Sequence, residues 1–188
     1  MKARVKKYLI FFGILFFIVA WTLIINFTSP EKIVAKMGAQ NGYIILFLIS
    51  AIGGVSSATA SSYYLAVSVL TAGGLDPILL GMIGGVGVTI GDSLFFYIGR
   101  KGQEVSSEKL TKKTKKIYEW MKKSPKGFIP VFIFLYAGFT PFPNDLMTVP
   151  LGFLGYSYKK TLPPLLLGNI MATLLISYFS AYGIRALF

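Results

Sequence analysis

Cysteine and histidine are both absent from the 188 residues. Their absence removes disulfides, thiol nucleophiles, the commonest metal ligand and the usual neutral-pH proton shuttle, and it leaves the redox compartment unreadable. Acidic residues are scarce as well, with 7 Asp and Glu against 19 Lys and Arg and a formal net charge of +12. No Ser-His-Asp set, metal-ligand cluster or phosphate-cradling loop is present. These gaps argue against hydrolysis and ATP-driven transport, so neither enzyme activity nor a metal or other cofactor is expected.

What the chain does have is apolar length. Hydrophobic residues make up 54% and charged residues 14% of the sequence, and mean hydropathy is +0.66. That is more apolar than a soluble domain, and several segments reach spanning length. The composition predicts an all-α polytopic membrane protein with no separate soluble domain. The lysines sit in short segments between apolar runs, so they report topology and attraction to anionic lipid headgroups; nucleic acid is not an expected partner.

Lys2, Arg4, Lys6 and Lys7 precede an apolar run from Tyr8 to Phe27, read as a retained N-terminal transmembrane helix, with Trp21 inside it. Residues 29–37 read as a short amphipathic interfacial segment capped by Ser29. From Gly42 to Ala72 the apolar sequence is interrupted by Gly53-Gly54-Val55-Ser56-Ser57-Ala58-Thr59-Ala60-Ser61-Ser62. An arm of roughly 12 residues reaches about 18 Å against a hydrocarbon core of about 30 Å, which suits a hairpin that enters and returns. One long Ser-rich spanning helix is the alternative.

Pro77 to Ile98 reads as a crossing helix whose Gly81, Gly84, Gly85, Gly87 and Gly91 let another helix approach, and a homo-oligomer through this Gly81–Gly91 stretch is one use of them. Residues 99–127 carry ten Lys and Arg, and read either as a basic cytoplasmic amphipathic helix or as a solvated loop. Residues 128–156 form a second interrupted segment. Within it, Thr140-Pro141-Phe142-Pro143-Asn144-Asp145-Leu146-Met147-Thr148-Val149-Pro150-Leu151-Gly152 places three prolines and a carboxylate in membrane-grade sequence, which reads as a broken element at a functional site. A last crossing helix is predicted over 161–187, with Pro163-Pro164 in its first turn.

Charge placement tests the hairpins. With the amino terminus and the lysine loop both cytoplasmic, an even number of crossings must separate them. Helix one and Pro77 to Ile98 supply two, so 42–72 returns to its starting side, and 128–156 must do the same before Lys159 and Lys160. The result is an inverted repeat of two re-entrant helical hairpins entering from opposite faces, each followed by a crossing helix. The corresponding divisions are 1–41, a first repeat over 42–98, the basic segment 99–127 and a second repeat over 128–188. Gly91-Asp92 and Gly168-Asn169 read as its weak internal echo. Such repeats place a substrate site near the midplane.

Gly91-Asp92-Ser93-Leu94-Phe95-Phe96-Tyr97-Ile98-Gly99-Arg100-Lys101-Gly102, together with the hairpin ending Pro150-Leu151-Gly152, resembles the DedA (VTT-domain, SNARE-associated Golgi) membrane protein family over roughly residues 40 to 182. The resemblance implies facing re-entrant hairpins, a prokaryotic plasma membrane and flipping or scrambling of phospholipid or polyprenyl-phosphate carriers, with proton coupling proposed for bacterial members. Two departures matter. Many members carry a glutamate in the first hairpin, where this chain has Ser56, Ser57, Thr59, Ser61 and Ser62. They also carry two arginines near positions occupied here by Gly138 and Asn144. Asp145, in its Pro-x-Pro-x-Asp setting, is similar to a smaller subgroup.

Asp92 and Asp145 are the acidic residues expected at membrane depth. Burial disfavours the charged carboxylate, which makes them candidate proton carriers; accepting hydrogen bonds from broken-helix amides or hydroxyls is the structural alternative. Asn144, Asn169, Thr140, Pro141, Pro143, Ser57 and Thr59 complete the candidate pathway, with Arg100 either an inner-surface anchor or a phosphate contact. Asn169, Thr173 and Ser177 share one helix face, where they could wet a cavity or join two helices. Tyr63, Tyr64, Tyr97, Tyr156 and Tyr158 read as interfacial anchors. The expected function is lipid movement between leaflets; proton-linked export of a small cation or drug, and a non-transporting assembly partner, are the alternatives.

Overall fold

The structure is a computed structural model that describes residues 35, 36, 38–53, 60–104, 119, 123–125 and 127–183. The predicted first helix, residues 29–34 and 37 of the interfacial segment, the Ser56-Ser57-Thr59 tip, most of the basic segment and Arg185 lie outside these residues. Among the described residues all regular structure is helical: α1 (Ala39–Gly53), α2 (Ala60–Ala72), α3 (Pro77–Glu104), α4 (Phe128–Phe139), α5 (Asp145–Phe153) and α6 (Tyr158–Tyr178), which runs into a π-helical turn, Phe179–Gly183.

Local chemistry sets the ends. At the start of α3, Pro77 needs no amide partner, while Asp76 Oδ1 accepts from the amides of Ile78 (2.8 Å) and Leu79 (2.9 Å). Helix α4 stops because Pro141 forces the preceding Thr140 into extended backbone, φ −102° and ψ 145°. Helices α2 and α5 end in the same way. Gly74 (φ 93°) and Gly155 (φ 75°) take the left-handed conformation. The next amide then reaches back five residues, from Leu75 to Leu70 and from Tyr156 to Leu151, a paired closure of helix carbonyls.

Two expected ends move. Helix α3 continues to Glu104 rather than stopping at Ile98, because Gly99 stays helical and serves packing: a Cβ there would lie 2.1 Å from the Val149 carbonyl oxygen. Helix α6 begins at Tyr158 rather than 161, so Pro163 and Pro164 lie beyond its first turn. The carbonyls they deprive belong to Lys159 and Lys160, exposed residues at a helix end where water can satisfy them.

The long helices α3 and α6 form the centre and run antiparallel, since Gly81 meets Leu174 while Gly85 meets Ile170. Around them the shorter helices are exchanged. Helix α1 packs on α3 and α4 on α6, whereas the helices that follow them cross over, α2 to α6 and α5 to α3. Small residues permit this: Gly87 lies against Phe47 and Ser50 of α1, Gly168 against Phe134 and Ala137 of α4, and Gly152 against the Phe96 carbonyl. Gly81, Gly84, Gly85 and Gly87 thus make close contacts within the chain, with α6, α2 and α1.

The exterior is more apolar than that of a soluble protein, and the interior holds polar residues beside its apolar ones. Ile78, Met82, Val86, Ile90, Leu94 and Ile98 form an exposed apolar stripe along α3, continued by Ile44, Leu48 and Ile52 on α1 and by Phe128, Phe132, Leu135 and Phe139 on α4. Asp92, Asn169, Thr89, Thr148, Thr173 and Ser177 are buried. An apolar exterior over polar contents is what lipid as solvent selects. Helices α3 and α6 are long and apolar enough to cross a membrane; at 28 residues α3 extends about 42 Å. None of the arms, at 15, 13, 12 and 9 residues, matches the roughly 30 Å core alone.

Gly152→Ala should destabilise the chain by about 1–3 kcal/mol, because the added methyl must displace backbone. Gly102→Ala, whose methyl meets only the Phe153 ring at 3.5 Å, should be close to neutral. Thermal unfolding in detergent separates the two; equal midpoints would refute the packing described.

Candidate functional site

Two apolar clusters fill the interior. One combines Phe96 of α3 and Leu165 of α6 with Ile133, Met147 and Leu151. The other combines Leu80 of α3 and Leu46 with Tyr63, Val67 and Leu70, with Val88 and Ile176 packed against it. Along each long helix the polar residues fall between the two: Thr89 and Asp92 on α3, Asn169 and Thr173 on α6. Antiparallel packing brings these two polar turns face to face near the middle of both helices.

Asp92 is the centre, only 2% exposed. Its Oδ2 accepts from Asn144 Nδ2 and from Asn169 Nδ2, each at 2.8 Å. Asn144 Nδ2 also donates to Asn169 Oδ1 (2.8 Å), and Asn169 Nδ2 to Thr89 Oγ1 (3.0 Å). Both amide groups thus spend their two protons inside one four-residue hub. Thr89 gives its own proton to the Gly85 carbonyl (2.7 Å). The hub ties α3, α6 and the broken segment together, because Asn144 is the residue immediately before α5.

The broken segment is itself held at two points. Tyr136 Oη donates to the Pro143 carbonyl (3.2 Å), and the Asn144 carbonyl accepts from the Thr148 hydroxyl (3.0 Å). From the hub a second link runs along α6. Thr173 gives its hydroxyl proton to the Asn169 carbonyl (2.7 Å), so Tyr63 of α2 is the donor in the short contact between Tyr63 Oη and Thr173 Oγ1. Tyr63 is buried, and its place is this interior hydrogen bond rather than the membrane interface expected for it.

Asp145 is placed differently from Asp92. It lies next to the hub in sequence, yet it takes no part in the hub's hydrogen bonds. Its Oδ1 is buried without a hydrogen-bond partner among the described residues. Thr140 turns its hydroxyl back to the Tyr136 carbonyl (2.7 Å), and Pro141 is exposed. Arg100 is exposed at the far end of α3, more than two helical turns past Asp92, and stands apart from the hub. Ser57 and Thr59 lie outside the described residues.

Of the expected residues, Asp92, Asn144 and Asn169 are brought together. Thr89 was legible in principle, since it lies three positions before Asp92 on the same helix face. Nothing local in the sequence distinguishes Tyr63 from its neighbour Tyr64, which is exposed. At the basic end, Tyr158 Oη hydrogen-bonds Ser93 Oγ (2.8 Å), and the Tyr97 and Tyr158 rings lie 5.2 Å apart. This puts Arg100 and Lys101 of α3 at the same end of the molecule as Lys159 and Lys160 of α6.

A family model described as the VTT domain matches residues 61–182. No curated protein and no solved structure matches. The matched span runs from the start of α2 to the π-helical turn and contains every residue of the hub.

The hub should behave as one unit. A double-mutant cycle between Asn144→Ala and Asn169→Ala, read by unfolding in detergent, should give a coupling energy of about 0.5–3 kcal/mol. Additive effects would show that the two amides act independently.

Proposed function

Because the chain belongs to the VTT-domain family of membrane proteins, we propose that it moves lipid between leaflets, as a flippase or scramblase, through an inverted repeat of two re-entrant hairpins. The observation that carries this reading is the polar hub held at mid-length between two antiparallel crossing helices and closed by the tip of a broken one. Transporters built from broken helices bind cargo at such a junction. The repeat is supported by the matched glycine closures after α2 and α5 and by the exchange of return arms between α3 and α6. No bond need be made or broken, in keeping with a non-enzymatic role.

In the described state the hub is shut, with Asp92 and Asn169 each 2% exposed. A headgroup reaches them only when Asn144 withdraws, which costs two hydrogen bonds in low dielectric but exposes carboxylate and amide groups together. Amide donors suit a phosphate, and the carboxylates of Asp92 and Asp145 suit an ammonium beside it. Anionic headgroups gather instead at the basic end, around Arg100, Lys101, Lys159 and Lys160. That end is the cytoplasmic one by the positive-inside rule, and Lys36 and Asp76 lie toward the other. The plasma membrane of a prokaryotic cell is the setting the family resemblance suggests.

A second reading, proton-linked export of a small cation, draws on the unpartnered Asp145 carboxylate. Reconstitution separates the two. With a fluorescent phospholipid in vesicles, the wild-type chain should render inner-leaflet label accessible to dithionite, and Asp92→Asn or Asp145→Asn should slow this by roughly ten-fold, the loss of about 1.4 kcal/mol. Unchanged flipping for wild type and both variants relative to empty vesicles would defeat the lipid reading. A substrate-driven pH change in pyranine-loaded vesicles without lipid movement would favour export.

A further inference from the structure

Most buried threonine hydroxyls among the described residues, and several serines, are satisfied in one way, and Ser177 departs from it. Thr71, Thr89, Ser93, Thr140, Thr148, Thr161 and Thr173 all donate to the carbonyl four residues back, at 2.6 to 3.0 Å. That is the usual way to satisfy a hydroxyl in a membrane helix. Ser177 does not. It is 0% exposed, and its Oγ has no hydrogen-bond partner among the described residues. A buried hydroxyl left unmade costs free energy, and the common remedy is an internal water.

The position of Ser177 gives that remedy a direction. It lies one turn beyond Thr173 on the buried face of α6, and three residues before Ser180. Both neighbours bond across to α2: Thr173 takes the Tyr63 hydroxyl, and Ser180 Oγ donates to Ser68 Oγ (3.0 Å). Ser68 in turn reaches the Tyr64 carbonyl (3.0 Å) at the surface. Between the hub and the outer turn, α6 therefore carries hydroxyls at 173, 177 and 180, of which Ser177 alone has no partner among the described residues. The helix departs from α geometry where this row ends, in the π-helical turn that holds Ser180.

We propose that the α2–α6 seam is an internal hydration path, with a water bound at Ser177 Oγ, joining the Asp92–Asn169 hub to the Asp76 end of the molecule. The path gives water, and protons carried on it, access to the hub from the face opposite the basic end. It rests on the reading of the hub as a transport site only for the purpose it serves, not for its existence.

The absence of native cysteine makes the test direct. Single substitutions Ser177→Cys, Ser180→Cys and Thr173→Cys are made in the full chain, reconstituted, and exposed to Ag+, which travels through water and not through lipid. Reacted thiol is read as protection from maleimide after denaturation. Since the thiolate is the reactive form and a thiol in dry apolar surroundings stays protonated, the seam cysteines should be protected about ten-fold or more faster than Ile133→Cys, a buried apolar control on α4 in the other cluster. Protection no faster than that of Ile133→Cys at all three positions would overturn the path. Where one variant fails to elute as folded protein, the other two carry the same expectation. A wet seam in a chain that moves no lipid would sink the lipid reading alone, and a dry seam in an active flippase would sink the path alone.

Discussion

The structure turns on one oxygen atom, Asp92 Oδ2, which accepts from Asn144 and Asn169 at once. Remove that acceptor and three elements lose their common point: the long helix that carries Asp92, the long helix that carries Asn169, and the short helix whose first turn begins after Asn144. In lipid the consequence is sharper than in water, because a freed amide has no solvent to replace its partner. Burying a carboxylate at the middle of the molecule is costly in itself. The arrangement is sustainable because the amide groups that offset the cost are held in place by the helices they join.

Everything around the hub serves close approach. Glycines at 81, 84 and 85 let α6 and α2 reach α3, and Gly99 and Gly152 interlock α3 with α5 backbone to backbone. The two apolar clusters sit above and below the polar turns, so the hub is flanked by apolar packing on both sides while the exterior stays apolar.

Much of this was legible in the sequence, for a physical reason. Polar residues in membrane-grade runs are expensive, so Asp92, Asn144 and Asn169 stand out against their neighbours, and the proline pattern announces the break at Thr140. The broken segment, the two crossing helices and the family resemblance follow from the same contrast. Other features were not legible. Gly99 reads as a helix end until its contact with Val149 is seen, and Pro163-Pro164 reads as a first turn until Tyr158 is found to start the helix. That Asp92 and Asn169 are partners in one hydrogen bond is likewise hidden in the sequence. Tyr63 and Tyr64 differ only in which way α2 turns toward α6. In each case the deciding fact is a contact between residues far apart in sequence.

The central claim, that headgroups reach the Asp92–Asn144–Asn169 hub, is tested most directly with the wild-type chain and a phospholipid carrying a photoreactive group on its headgroup. After irradiation in vesicles, the labelled residues are mapped by mass spectrometry. The account predicts adducts at Asp92, Asn144, Asp145 or Asn169 in addition to those at the basic end. Label confined to the basic end and the exposed surfaces, with none in the hub, would contradict it.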